Sequence, residues 1–211
     1  VGGWGKNLAR NFHQLADARL KYVCDLDQKK LDQVARQLPG STLTRDFDVV
    51  LRDPDIQAVV VATPAPRHFP LAKMALEAGK DVYVEKPFTL EIGHAEELIA
   101  LAAANKRVLM VGHLLEYHPA IRKLHDLVQA GELGEIHYVY STRVNLGKVR
   151  REENILWSFA PHDVSVILLL MGALPEWAIT SGQHYLQREI ADVTMTCLGF
   201  PGRPRAHIFV S

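Results

Sequence analysis

Apolar positions change their period along this chain, and the change divides it. Over residues 5–130, short apolar runs alternate with segments whose apolar residues recur three and four apart. Leu8, Phe12 and Leu15 share one helical face. The run Leu20-Lys21-Tyr22-Val23-Cys24 predicts a strand ending at Asp25, and a polar helix from Asp27 to Leu38 follows, with Leu31, Val34 and Leu38 inward. Ala58-Val59-Val60-Val61-Ala62 is short and continuously apolar, which predicts a strand buried on both faces. Leu71, Met74, Ala75 and Ala78 predict a helix ended by Gly79, and Asp81-Val82-Tyr83-Val84 the next strand. A helix near residues 91–104 precedes a strand at Val108-Leu109-Met110-Val111. Strands alternating with helices over short connections predict an α/β domain with a doubly wound parallel sheet.

After Gly131-Glu132-Leu133-Gly134 the alternation stops. Residues 136–144, 177–185, 192–198 and 205–210 read as strands, with one apolar helix near Val164 to Met171. Strands in succession predict a mostly antiparallel sheet, so the second domain is α+β. The boundary falls near residues 118–134, dividing an α/β domain over 1–118 from an α+β domain over 119–211.

Composition narrows the class. Lys+Arg and Asp+Glu balance at 24 each in 211 residues, and 48% of the chain is hydrophobic. A zero formal charge speaks against a general nucleic-acid or anionic-membrane binder, which needs a basic excess. The apolar runs are too short to span a membrane. A soluble, cytoplasmic enzyme fits this balance. Cys24 and Cys197 suggest neither a disulfide framework nor a zinc site, and no metal is expected. Cys24 is expected to fill a strand core as a small apolar group.

Candidate chemistry clusters where predicted strands end. The chain opens Val1-Gly2-Gly3-Trp4-Gly5-Lys6-Asn7. Glycines there let the backbone turn tightly and approach a pyrophosphate, whose charge sits at the N-terminus of the following helix. Asp25 stands twenty positions after Gly5, the spacing at which a carboxylate can accept from adenosine ribose hydroxyls. The same charge repels a 2′-phosphate, which favours NAD over NADP. Asp25 can equally cap the helix that begins near Asp27. Thr63, Pro64 and His68 follow the strand at residues 58–62 and are expected to line the same crevice. Glu85-Lys86-Pro87 closes the strand Asp81–Val84, putting a carboxylate and a cation at the carboxyl edge of the sheet, where open α/β folds bind ligands.

Trp4-Gly5-Lys6-Asn7-Leu8-Ala9-Arg10, Val84-Glu85-Lys86-Pro87, Val111-Gly112-His113 and Ala160-Pro161-His162-Asp163, in that order, resemble the Gfo/Idh/MocA family of nicotinamide-dependent sugar oxidoreductases. Their wording is similar to the branch of UDP-N-acetylglucosaminuronate 3-dehydrogenases. The resemblance implies a Rossmann-like domain whose first strand and first glycine lie upstream of Val1. It also implies a second domain continuing beyond Ser211, where the alternation from Arg205 stops without a turn. A homo-oligomer and a small-molecule (nucleotide-)sugar substrate, with neither nucleic acid nor membrane as partner, follow from the same resemblance.

The resemblance also assigns roles. Gly2, Gly3, Trp4 and Gly5 would hold the pyrophosphate, and Asp25 the adenosine ribose. Thr63, Pro64 and His68 would touch the cofactor, Glu85 the nicotinamide ribose, and Lys86 that ribose and the substrate hydroxyl. Alcohol oxidation needs a hydride acceptor and a base near neutral pH, which suits Lys86 and His162 as the catalytic pair. Many family members carry acids four before and three after this histidine; here Ser158 and Ser165 stand there, and Asp163 is offered as the orienting carboxylate. His113, Arg143, Asn145, His162 and Asp163 are the substrate-side candidates, with Tyr117, His118, Lys148, Arg150 and Arg151 behind them. Two other readings stand beside the leading one: the same chemistry on a free sugar, an inositol or another nucleotide sugar, and a dinucleotide-binding protein without turnover.

Overall fold

Helix α1 (Gly5–Gln14) follows the glycine turn and buries its smallest side chains. Residues 1–145 and 153–211 are described by a computed structural model; they fall into two units, Val1–Gly112 and His113–Ser211. In α1 the buried positions are Gly5 and Ala9, whereas Leu8 and Phe12 are half-buried and Leu15 is exposed. The helix thus departs from its predicted apolar face. Ala9 joins a cluster with Val23, Leu31, Val34 and Leu38, in which a small residue permits close approach.

Strand β1 (Tyr22–Cys24), helix α2 (Gln28–Ala35), strand β2 (Thr42–Thr44) and helix α3 (Phe47–Arg52) come next. Asp27 caps α2, its carboxylate accepting from the Lys29 amide. Strand β3 (Ala58–Val61), helix α4 (His68–Glu77), strand β4 (Asp81–Val84), helix α5 (Ile92–Ala104) and strand β5 (Leu109–Val111) complete the first unit. All strand pairs in it are parallel: β1 with β2, and β3 with β4 with β5. Val59, Val61, Val82 and Val84 pack with Ala72, Ala75 and Leu76 of α4 and Leu98 and Ala102 of α5. Two expectations change here. Strand β3 alternates, with Val59 and Val61 packed in the core and Ala58 and Val60 outward, so only one of its faces is buried. Helix α4 turns Ala72 and Leu76 inward and leaves Met74 partly exposed, its alanines letting it lie close to the sheet.

The second unit holds helix α6 (Pro119–Gln129), strand β6 (Tyr138–Arg143), helix α7 (Ile155–Met171) and strands β7 (Trp177–Gln183), β8 (Val193–Gly199) and β9 (Arg205–Val210). Sheet order is β6-β9-β8-β7, parallel between β6 and β9 and antiparallel elsewhere. One face packs on α7 through Ala160, Ile167, Leu198, Ala206, Ile208 and Val210. The side chain of Trp177 lies where a Cβ on Gly199 would stand, so the glycine makes room for the ring, and the Arg205 guanidinium sits 5.2 Å from its centroid.

Helix α7 begins at Ile155, well before the predicted Val164, and runs through Pro161. Asn154 caps it by accepting from the Trp157 amide at 3.0 Å. An interior proline removes a helical hydrogen bond and costs ~3 kcal/mol. Burial of Ile167 and Leu170 in the same helix, worth roughly 1.5–3 kcal/mol each, offsets this.

Candidate functional site

Parallel register brings three chain segments out at one edge of the β3-β4-β5 sheet. Val61 pairs with Val84 and Val84 with Val111, so Ala62, Glu85 and Gly112 emerge side by side. The Glu85 amide donates to the Val61 carbonyl at 2.9 Å, and the Gly112 amide to that of Val84 at 2.8 Å.

Glu85 is buried there as a carboxylate with named donors. Its Oε1 accepts from the Trp4 indole Nε1 at 2.8 Å and from the Tyr83 hydroxyl at 3.1 Å. The Lys86 amide reaches Oε2 at 3.2 Å. Gly112 packs against this group: a Cβ there would stand 2.6 Å from the Tyr83 oxygen and 3.0 Å from Glu85 Oε1. Tyr83 escapes a reading by motif, and the motif that holds Gly112 gives no hint of this packing. The available signal was period two, which sets Tyr83 on the same strand face as Glu85. Lys86 is half-buried and joined to the buried Pro87 by a cis peptide bond.

Trp4 stands at the N-cap of α1 with no side-chain cap, and Gly2 and Gly3 border open space, with nothing within 4 Å of a Cβ built on either. Gly5 sits against Ala62, at 3.6 Å between the built Cβ and that of Ala62. A positive helix end beside an unobstructed backbone is what an anionic phosphate needs. At the end of β1, Asp25 accepts from the Asp27 amide at 2.9 Å. Because Asp27 caps α2, Asp25 is left outside the cap. Burial raises the pKa of the half-buried Cys24 thiol, and neighbouring Asp25 adds to the rise.

Thr63 and Pro64 are exposed after β3, ahead of a 3₁₀ turn at Ala65–Arg67. His68 differs from the expectation of a crevice-lining side chain. It is 1% exposed, with Nδ1 2.7 Å from the Pro87 carbonyl oxygen and Nε2 2.8 Å from that of Thr63. The ring stands between two carbonyl oxygens, one from the loop after β3 and one from the loop after β4, and so bridges the two loops. Glycine turn, Asp25, Thr63 and the Glu85 carboxylate have the chemistry that a dinucleotide requires of its phosphate and ribose contacts.

In the second unit His162 and Asp163 lie in the middle of α7, not ahead of a helix. Asp163 is buried. It accepts from the Ser141 hydroxyl at 2.6 Å and from Arg143 through Nε at 2.8 Å and Nη2 at 3.1 Å. Both carboxylate oxygens are therefore taken, and Arg143, expected to meet substrate, braces α7 against β6. The half-buried His162 receives the Ser165 hydroxyl on its carbonyl at 3.0 Å. His113 is half-buried before a 3₁₀ turn at Leu114–Tyr117, and its buried Nδ1 has no hydrogen-bond partner among the described residues. His118 caps α6, its Nδ1 accepting from the Ala120 amide at 3.2 Å, and Arg122 lies 5.1 Å from the Tyr117 ring centroid. Asn145 is exposed beyond β6, its amide donating to the Ser211 carbonyl at 3.2 Å. Lys148, Arg150 and Arg151 lie outside the described residues. Among the described residues no group of His, Cys, Asp and Glu is arranged to hold a metal ion, and no helix is long and apolar enough to cross a membrane.

The chain is similar to known oxidoreductases in sequence and in fold. UDP-N-acetylglucosamine 3-dehydrogenase of Acidithiobacillus ferrooxidans is 34% identical over 83% of the chain and 53% of its own length. Inositol 2-dehydrogenase of Mycolicibacterium smegmatis is 31% identical over 58% of the chain and 36% of its own length. Among solved structures, GenD2 from gentamicin A biosynthesis, in complex with NAD, superposes with a TM-score of 0.93 at 26% identity, covering 100% of this chain and 63% of that one. The chain spans about half the length of the curated relatives it matches. Residues 1–113 match the oxidoreductase family with an NAD-binding Rossmann fold, and the chain belongs to this Gfo/Idh/MocA family.

Proposed function

We propose that this protein is an NAD-dependent dehydrogenase that oxidises a ring hydroxyl of a sugar, and that its substrate is a UDP-N-acetylated hexuronic acid oxidised at C3. The observation that carries the reading is Glu85: a buried carboxylate at the carboxyl edge of the parallel sheet, tied by hydrogen bond to Trp4 of the glycine turn. A carboxylate whose Oε2 takes a single backbone amide keeps acceptor capacity there, which beside a glycine turn suits a ribose diol next to a pyrophosphate. Gly2, Gly3, Trp4 and Gly5 hold the phosphates, and Asp25 accepts from the adenosine ribose and repels a 2′-phosphate. Thr63 and Pro64 border the cofactor, while His68 acts through the loops it fastens. Bound NAD supplies the hydride acceptor. Lys86 and His162 serve the substrate hydroxyl, one taking its proton as the carbon gives up hydride, so that alcohol becomes ketone. His113 and Asn145 contribute polar contacts to the sugar, and Asp163 with Arg143 keeps the His162 helix in place.

Similarity to a UDP-N-acetylglucosamine 3-dehydrogenase supports the nucleotide-sugar substrate. Similarity to an inositol 2-dehydrogenase favours a second reading with a free polyol. The test follows NADH absorbance with full-length protein against UDP-N-acetylglucosamine, its uronic acid, free sugars and inositols. Turnover confined to the UDP-sugars is expected. Turnover with inositols alone selects the second reading, and NAD binding without turnover on any of them selects a non-catalytic dinucleotide-binding protein.

A further inference from the structure

We propose that Tyr83 is a positioning residue for Glu85, saturating one carboxylate oxygen so that the other is presented to the vicinal diol of the nicotinamide-side ribose; this rests on the NAD reading above. The two oxygens differ in their surroundings. Oε1 takes two side-chain donors, Trp4 Nε1 at 2.8 Å and Tyr83 Oη at 3.1 Å, whereas Oε2 has the Lys86 amide at the longer 3.2 Å. Tyr83 and Glu85 share a face of β4, so the phenol reaches along the strand to a carboxylate two residues on. Gly112 completes the arrangement: the absence of a Cβ leaves the space that the phenol oxygen and Oε1 occupy, 2.6 and 3.0 Å from where it would stand. A carboxylate fixed by two donors and a backbone wall loses less rotamer freedom when a ligand binds, which is how preorganisation raises affinity.

The test compares NAD with ADP, which keeps the adenosine and phosphates but lacks the second ribose, by calorimetric titration of full-length protein. Tyr83→Phe removes one donor and keeps the ring. It is expected to weaken NAD on the order of tenfold, the scale of one hydrogen bond to a charged group, and ADP by less than twofold. In a Glu85→Gln background the same substitution is expected to leave the NAD-to-ADP affinity ratio unchanged. Because the readout is a ratio, a small loss of folded protein cancels. Equal weakening of both ligands, no weakening of either, or a further fall of the ratio in the Glu85→Gln background overturns the positioning role while leaving the cofactor reading standing. A wild-type protein that binds NAD no tighter than ADP overturns the cofactor reading and this inference with it.

Discussion

Arg143 holds Asp163 with two hydrogen bonds, from Nε at 2.8 Å and Nη2 at 3.1 Å, so a strand residue clamps the carboxylate next to His162. Removing one partner of a buried pair leaves an uncompensated charge and costs roughly 3–5 kcal/mol. The Arg143 side chain is 37% exposed, and solvent screening moves the expected loss to the low end of that range. Arg143→Ala is therefore expected to destabilise the protein by about 3 kcal/mol in chemical denaturation, with NAD affinity kept. A loss well under ~1 kcal/mol would mean that water replaces the guanidinium and that the clamp is a surface feature.

This pair also shows where sequence legibility ends. Strands β4 and β9 are readable residue for residue, Asp81–Val84 and Arg205–Val210, because their boundaries coincide with abrupt changes in polarity. Helix α7 is readable only in its second half. Pro161 looks like a stop signal, and its tolerance depends on packing that a local pattern does not carry. Helix α6 lies in a stretch that reads as a domain boundary, since no residue of it is buried. Among site residues, the order of the motifs marks Glu85 and the glycine turn. The partners of His68 and Arg143 are invisible in sequence, because they come from loops and a helix 5 to 20 residues away.

Asp25 should set cofactor choice. With the carboxylate in place, full-length protein is expected to bind NAD much more tightly than NADP, and Asp25→Ala to narrow the gap by relieving repulsion of the 2′-phosphate. Calorimetric titration measures both. A preference for NADP in the unmodified protein would remove the assignment.

Lys86→Ala and His162→Ala separate chemistry from binding. Each is expected to lower turnover on the order of a hundredfold or more, the usual effect of a positioned acid or base. The His162 variant should retain NAD affinity. Near-normal sugar oxidation by both variants would rule out the catalytic pair and strengthen the reading of a binding protein without turnover.

His68→Ala tests the fastening of the two crevice loops. It would leave the Pro87 and Thr63 carbonyls without their ring partner and open a void at a side chain that is 1% exposed. A buried orphaned acceptor costs roughly 1–3 kcal/mol. Thr63 itself is exposed and its carbonyl can be rehydrated, so the expected loss is on the order of 2–4 kcal/mol rather than twice the orphan cost. Thermal unfolding with and without NAD gives the comparison, and a melting curve unchanged from wild type would show that neither loop depends on the ring.

Asp53 gives a pH dependence whose direction is fixed by its surroundings. Hydrogen bonds from the Lys21 ammonium first, then the Asp55 amide and the Tyr22 hydroxyl, hold its pKa at about 2, below the ordinary value of 3.8. The folded state therefore favours the ionised carboxylate more than the unfolded chain does, and the resulting stability is complete above the ordinary value. It is lost as pH falls from 3.8 through the folded value of about 2, where both states bind the proton. Asp53→Asn cannot titrate, so the variant is expected to be less stable than wild type at neutral pH and to approach it as the solution is acidified across that window. Denaturation midpoints for both proteins at a series of pH values measure the difference, and parallel curves down to the lowest pH would show that the Lys21 and Tyr22 contacts leave no net mark on folding.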